Sequence, residues 1–169
     1  MKFYLVDRIL ELAPPKRIVA VKNVSLAEEY LADHFPAYPV LPGVMMIEAL
    51  VQSAAWLVRA STEFQKTLIL LREAQNVRYG NFVRPGGQLR MEVEAVEIGP
   101  DSSRFKATGL CDGQQAVQAK LTLEHLNVAD EEPALANLDA PLRVFWRERF
   151  ALVGGPQALA ANANAAAKA

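Results

Sequence analysis

One stretch constrains the fold more than any other: HFPAYPVLPGVMMIEALVQSAAWLVRAS, from His34 to Ser61. Its first ten residues, His34 to Gly43, hold three prolines and a glycine. Proline fixes φ and removes a hydrogen-bond donor, so this part forms an irregular, rigid loop. From Val44 to Ala60 there is neither proline nor glycine, and Met, Leu, Ala, Glu and Gln all favour helix. The predicted helix is apolar on nearly every side, interrupted only by Glu48, Gln52, Ser53 and Arg59. A helix of that kind is buried all round. It falls short of the ~20 apolar residues of a membrane span, and a mid-span glutamate would be costly there. The reading is therefore a soluble core helix with no membrane insertion, and the rest of the chain must cover it.

Strands supply the cover. FYLVDRILEL (3–12) and RIVAVKNV (17–24) are rich in β-branched and aromatic residues and are separated by Pro14-Pro15, which predicts two strands joined by a proline turn. SLAEEYLAD (25–33) reads as a short polar helix or loop, and TLILLR (67–72) as a strand extending towards Tyr79. Leu89, Met91, Val93 and Ala95 alternate with Arg90, Glu92 and Glu94, the period of a half-exposed strand. Phe105, Ala107, Gly109 and Cys111 repeat that spacing, as do Val117, Ala119, Leu121 and Leu123. Between these two runs lies Asp112-Gly113, a strong hairpin signal because both central turn positions favour positive φ. The expected architecture is α+β, with five or six antiparallel strands curved around one long buried helix. Strict βαβ alternation is absent, which excludes a Rossmann-like plan.

From Ala129 the character changes, dividing the chain into a domain over 1–128 and an appendage over 129–169. ADEEPALANLDA reads as an acidic linker. PLRVFWRERFALV (141–153) reads as an amphipathic helix with Asp139 as N-cap and Gly154-Gly155-Pro156 as its stop. The Ala-rich tail QALAANANAAAKA reads as frayed.

A hydrophobic fraction of 51% excludes wholesale disorder. Eighteen basic against nineteen acidic residues give a net charge of -1, which argues against a nucleic-acid partner. The single cysteine, Cys111, leaves no intramolecular disulfide framework and suits a reducing compartment. The apolar run Phe3–Val6 is too short for a signal-peptide core, so a cytoplasmic location is expected.

Two histidines and one glutamate carry the candidate chemistry. His125 ends the last strand beside Glu124 and reads as a solvated strand end. His34 instead sits in the rigid loop directly ahead of the buried helix. Glu48 lies inside that helix, where loss of hydration should raise its pKa and suit it to general-acid work. The local residues leave a second reading open, a buried salt bridge between Glu48 and an arginine. Pro42 and Gly43 stand at the helix start, where backbone N–H groups lack helix partners and the dipole favours developing negative charge. Base, acid and oxyanion donor within fifteen residues match proton abstraction next to a carbonyl with loss of a β-hydroxyl. No metal-ligand spacing and no G-x-S-x-G motif is present, and Cys111 fits an inward strand position.

HFPAYPVLPGVMMIEALVQ (34–52) resembles the signature of the FabA/FabZ family of 3-hydroxyacyl-acyl-carrier-protein dehydratases, in which His-Phe-Pro-x-x-Pro-x-x-Pro-Gly-Val leads into a helix bearing Ile-Glu-Ala. The resemblance spans roughly residues 4–124, and glutamate at position 48 looks like the FabZ branch. It departs at Asp33, Ala37, Tyr38 and Phe82, which flank the expected substrate entrance. The resemblance implies a hot-dog fold and a homodimer, which admits a trimer of dimers, with active sites shared between subunits. It also implies dehydration of (3R)-3-hydroxyacyl groups on acyl carrier protein to trans-2-enoyl groups, with no cofactor. By the same resemblance His34 takes the C2 proton and Glu48 of the other chain assists departure of the 3-hydroxyl. The Gly43 N–H would polarise the thioester carbonyl, the Val40 carbonyl would orient the imidazole, and Gln52 would position the carboxylate. Arg78 and Arg84 are the expected contacts for an acidic carrier. Two other functions share the fold: an acyl-thioesterase, and a non-catalytic subunit that binds acyl carriers.

Overall fold

The computed structural model describes the backbone of residues 3–166 and the side chains of 3–163; Met1, Lys2 and the end of the Ala-rich tail (167–169) lie outside them. Six strands and one long helix form the main body. The strands are β1 (Arg8–Ala13), β2 (Arg17–Asn23), β3 (Leu68–Tyr79), β4 (Gln88–Ile98), β5 (Ser102–Cys111) and β6 (Gln114–Leu126). They make one antiparallel sheet in the order β1-β2-β4-β5-β6-β3. A four-residue helix, α1 (Tyr30–Asp33), precedes the long helix α2 (Gly43–Ser61). This is the hot-dog arrangement expected from the sequence.

The core forms between α2 and the concave face of the sheet. Ala49, Leu50, Ala54, Leu57 and Val58 of α2 are wholly buried, as are Ile18, Leu89, Met91, Val117 and Leu123 of the strands. At ~1.5–3 kcal/mol for each large apolar side chain removed from water, this seam is the main source of stability. At 19 residues α2 has the length and apolarity of a membrane span, yet two-thirds of its most apolar window is buried within the protein. Burial, rather than length, marks it as a core helix. The β5–β6 hairpin turns at Asp112 (φ 51°) and Gly113 (φ 75°), as Asp-Gly requires.

Several local expectations are corrected. The first strand starts at Arg8 and not at residue 3; Phe3–Val6 instead runs alongside α2, held there by the hydrogen bond from Leu5 N to Gln52 Oε1. His125 is fully buried and not a solvated strand end, because β6 continues to Leu126 and pairs His125 with Ile69 of β3. Burial pulls its imidazole below the ordinary histidine value. The Ala-rich segment, expected to fray, is helical from Gly155 to Ala166, as suits alanine's high propensity, and it packs on β1 through buried Ala158.

The segment after β6 folds back over the end of α2. It contains α3 (Val128–Glu131), a 3₁₀ turn (Pro133–Leu138), α4 (Asp139–Leu152) and α5 (Gly155–Ala166). Asp139 is the first residue of α4 and does not cap it. Its carboxylate accepts from the amides of Val128 and Ala129 and from Thr67 Oγ1. Burial opposes ionisation of Asp139, but these donors outweigh it and hold the carboxyl below the usual aspartate range. Trp146 of α4 meets Trp56 edge-on at 5.8 Å and donates from Nε1 to Thr67 O at 2.9 Å. Gly154, at φ 79°, ends α4, and Pro156 fits the first turn of α5.

Asp139 therefore fastens the appendage to the sheet. Asp139→Ala is expected to lower stability by about 1–3 kcal/mol, because three donors lose their acceptor. Urea unfolding followed by tryptophan fluorescence would read this as an earlier midpoint; an unchanged midpoint would show that the appendage is held by its aromatic contacts alone.

Candidate active site

His34 caps the C-terminus of α1, its N–H donating to Tyr30 O at 3.1 Å. Phe35 then takes a left-handed conformation (φ 58°), which turns the chain sharply away from the helix. The proline loop is anchored where Leu41 N donates to Val83 O at 2.8 Å. Within it the half-buried His34 ring packs edge-on against Phe35 at 4.3 Å. Its Nδ1 is buried and has no hydrogen-bond partner among the described residues. Tyr30 beneath it stays a neutral phenol, pushed up to about 12 by burial and by the carboxylates of Glu28 and Asp7.

The His34 ring lines a cavity of about 370 Å³ with Val40, Leu41, Gly43, Tyr79 and Phe82. Pro42 (ψ 140°) directs the chain into α2, whose first residue is Gly43. A Cβ on Gly43 would stand 2.8 Å from Tyr79 Cε1, so only glycine lets this ring close over the helix start. The N–H of Gly43 belongs to the first turn and has no acceptor within its own helix. The cavity thus combines an imidazole, an amide donor at a helix N-terminus and mostly apolar walls.

Glu48 lies about one turn further along α2, at ~1.5 Å of rise per residue, and lines a second cavity of about 250 Å³. Its carboxylate accepts from Gln52 Nε2 at 2.9 Å. Gln52 also donates to Phe3 O at 3.0 Å and accepts from Leu5 N at 2.9 Å. Every polar atom of that amide is therefore engaged, and it fixes Glu48 against the N-terminal segment. Among the described residues no lysine or arginine forms an ion pair with Glu48, so a buried salt bridge is not found. Within one chain His34 and Glu48 line different cavities.

The sequence reading did not assign roles to Tyr79 or Arg59. Tyr79 reaches the His34 cavity because β3 runs on to the start of α2, a tertiary juxtaposition with no local signature. Arg59 had a signal: Glu48, Gln52 and Arg59 are spaced by four and then seven residues, which sets all three polar side chains on one face of α2.

Residues 1–121 match the FabA-like domain family. The chain is 41% identical over 120 residues to the 3-hydroxyacyl-[acyl-carrier-protein] dehydratase FabZ of Bacillus pumilus, covering 71% of this chain and 83% of that protein. It is 42% identical over 120 residues to the protein of the same name from Exiguobacterium sibiricum, covering 71% and 86%. Among solved structures, the dehydratase heterocomplex ApeI:P from Xenorhabdus doucetiae superposes with a TM-score of 0.64 at 17% identity, over 78% of this chain and 89% of that one. A hypothetical thioesterase from Streptococcus pneumoniae superposes at 0.52 with 14% identity, over 71% and 85%. At these identities the structural likeness establishes the fold.

Gln52 links Glu48 to the N-terminal segment, so its removal should be read at both. In Gln52→Ala the amide of Leu5 is expected to exchange with deuterium about fivefold faster, in line with the loss of one hydrogen bond worth ~1 kcal/mol. Unchanged protection at Leu5 would mean that packing alone holds the segment.

Proposed function

This chain belongs to the FabA-like domain family, and from that membership we propose that it dehydrates 3-hydroxyacyl groups carried on acyl carrier protein to trans-2-enoyl groups, in fatty acid biosynthesis in the cytoplasm. The His34 imidazole removes a proton from C2 of the thioester. The electron pair forms the C2=C3 double bond as the C3–O bond breaks, and Glu48 gives its proton to the departing hydroxyl, so that water leaves. The Gly43 N–H stabilises negative charge on the thioester oxygen as C2 loses its proton. Val40, on the wall of the same cavity, would orient the imidazole through its carbonyl, and Gln52 positions Glu48. The elimination needs acid, base and oxyanion donor, and no cofactor.

A second copy of the chain would complete each site. The sheet has two edges, and they are treated differently. On β1, Ile9 N donates to Val153 O at 2.7 Å, and α5 packs alongside. On β3, 12 residues long, the outer edge is open, and Leu70, Leu71 and Tyr79 are exposed. A long open edge with apolar side chains is a template for pairing. Leu68–Leu70 line the Glu48 cavity, whereas Tyr79 lines the His34 cavity near the other end of the strand. Antiparallel pairing of two β3 strands about a two-fold axis near their middle would bring the Glu48 cavity of one chain beside the His34 cavity of its partner. Arg84, exposed and stacked over Tyr38 at 4.2 Å, and Arg78 beside Lys106 and Lys120 offer cations to an acidic carrier.

The observation that carries this reading is the half-buried Glu48 carboxylate, held by Gln52 and, among the described residues, in no ion pair with a lysine or arginine, on the helix that opens with Gly43 beside His34. Incubation with 3-hydroxyacyl carrier protein should yield a product lighter by one water in mass spectrometry. His34→Ala and Glu48→Gln should each lower turnover about 10²- to 10⁴-fold while leaving the thermal melt in place. Release of free thiol would identify a thioesterase instead, and binding of an unchanged substrate a non-catalytic subunit; either contradicts the proposal.

A further inference from the structure

The Glu48 cavity extends along one face of α2 and reaches Arg59, eleven residues on and therefore ~16 Å further along the helix axis. Between these two residues its wall is mostly apolar, formed by Val51, Ala55, Trp56, Ile69 and Leu70, with Gln52 as a polar exception. Arg59 is 5% exposed, and its Nε is buried without a hydrogen-bond partner. Among the described residues no carboxylate pairs with it, and its neighbours are the ring faces of Trp146 at 3.9 Å and Trp56 at 5.4 Å. Burial pulls the guanidinium down to about 9, well below its ordinary value. Arg149 lines the same cavity and lies over Tyr4 at 3.7 Å, and among the described residues it too has no carboxylate partner. The cavity therefore has Arg59 at its far end and Arg149 on the wall beside Tyr4, and among the described residues neither is paired with a carboxylate.

A buried cation without a counter-ion is costly, and aromatic faces offset only part of that cost. A closed end built for a methyl terminus would be lined by leucine or phenylalanine. We propose that Arg59 is a specificity-determining residue that binds a carboxylate at the distal end of the acyl chain, so that the preferred substrates are ω-carboxylated 3-hydroxyacyl groups. The inference rests on the dehydratase reading, which places the reacting carbons at Glu48. At ~30 Å³ for each water- or methylene-sized group, the cavity of about 250 Å³ holds roughly eight chain atoms. Arg59 reaches back towards the helix N-terminus to meet a chain of that length, as long helical side chains do. Trp56 and Trp146 hold the guanidinium flat, leaving its edge N–H groups for a bidentate carboxylate.

Binding tests this independently of turnover. The probes are two unreactive saturated acyl pantetheines with about eight carbons beyond C3. One ends in methyl and the other in carboxylate, and both are titrated against the full-length protein while tryptophan fluorescence is followed. The carboxylate-ended probe should bind about 10- to 100-fold more tightly, the range of a charge-assisted hydrogen-bonded pair. Arg59→Met should erase or reverse that preference, and Arg59→Lys should retain part of it. Turnover of the matching 3-hydroxyacyl substrates should follow the same order in kcat/KM. Should Arg59→Met fail to fold, the wild-type preference and its partial retention in Arg59→Lys still decide. Equal binding of the two probes by the wild type, or a preference unchanged in Arg59→Met, overturns the proposal and makes Arg59 a brace between α2 and α4. A carboxylate preference in binding with no water loss from any substrate would leave Arg59 its ligand and remove the dehydratase reading alone.

Discussion

Burial of α2 against the concave face of the sheet is the constraint on which the remaining features depend. Because almost every side of the helix is apolar, the sheet must curve around it, and the few polar groups on its surface are confined to defined places. Gly43 stands at its start with a free amide, Glu48 and Gln52 follow on one face, and Arg59 closes the same face in the last turn. Each polar group is placed by helical geometry, at ~1.5 Å and ~100° per residue, and not by flexible loops. The rigid proline loop then delivers His34 to the start of the same helix. A single packed element therefore sets Glu48, Gln52 and Arg59 along one face, with Gly43 and His34 at its start.

The two edges of the sheet complete the picture. β1 is covered by the chain's own C-terminal segment, which Asp139 ties to Thr67 and which the Trp56–Trp146 contact holds against α2. That segment also forms one wall of the Glu48 cavity through Trp146 and Arg149. Among the described residues β3 has no such cover, and its two ends border the two cavities. Self-association through β3 would close the exposed edge and bring Glu48 of one chain towards His34 of the other in one step.

The sequence made α2 legible because an apolar run with helix-forming residues and no proline or glycine has one physical solution. The strands of β4 to β6 were legible through alternation, and Asp112-Gly113 through its turn chemistry. His125 was misread because its burial depends on how far β6 continues beside β3, which no local pattern records. The Ala-rich helix was misread because low complexity was weighed above alanine's propensity and the face it presents to β1. At the candidate site His34, Gly43, Glu48 and Gln52 were legible as one motif. Arg59 was visible in the same spacing but gains meaning only with the cavity that connects it to Glu48, and Trp146 lies far along the chain from the wall it completes.

The central claim is that each site takes His34 from one chain and Glu48 from the other. Subunit exchange between His34→Ala and Glu48→Gln tests it directly, since each variant alone is inactive. When equal amounts are co-refolded, half the dimers are mixed, and each mixed dimer has one site with both groups intact and one with neither. The account expects activity to return to about a quarter of wild type, as two-fold symmetry dictates. A mixture that stays inactive despite demonstrated exchange would place both groups in one chain and contradict the shared site.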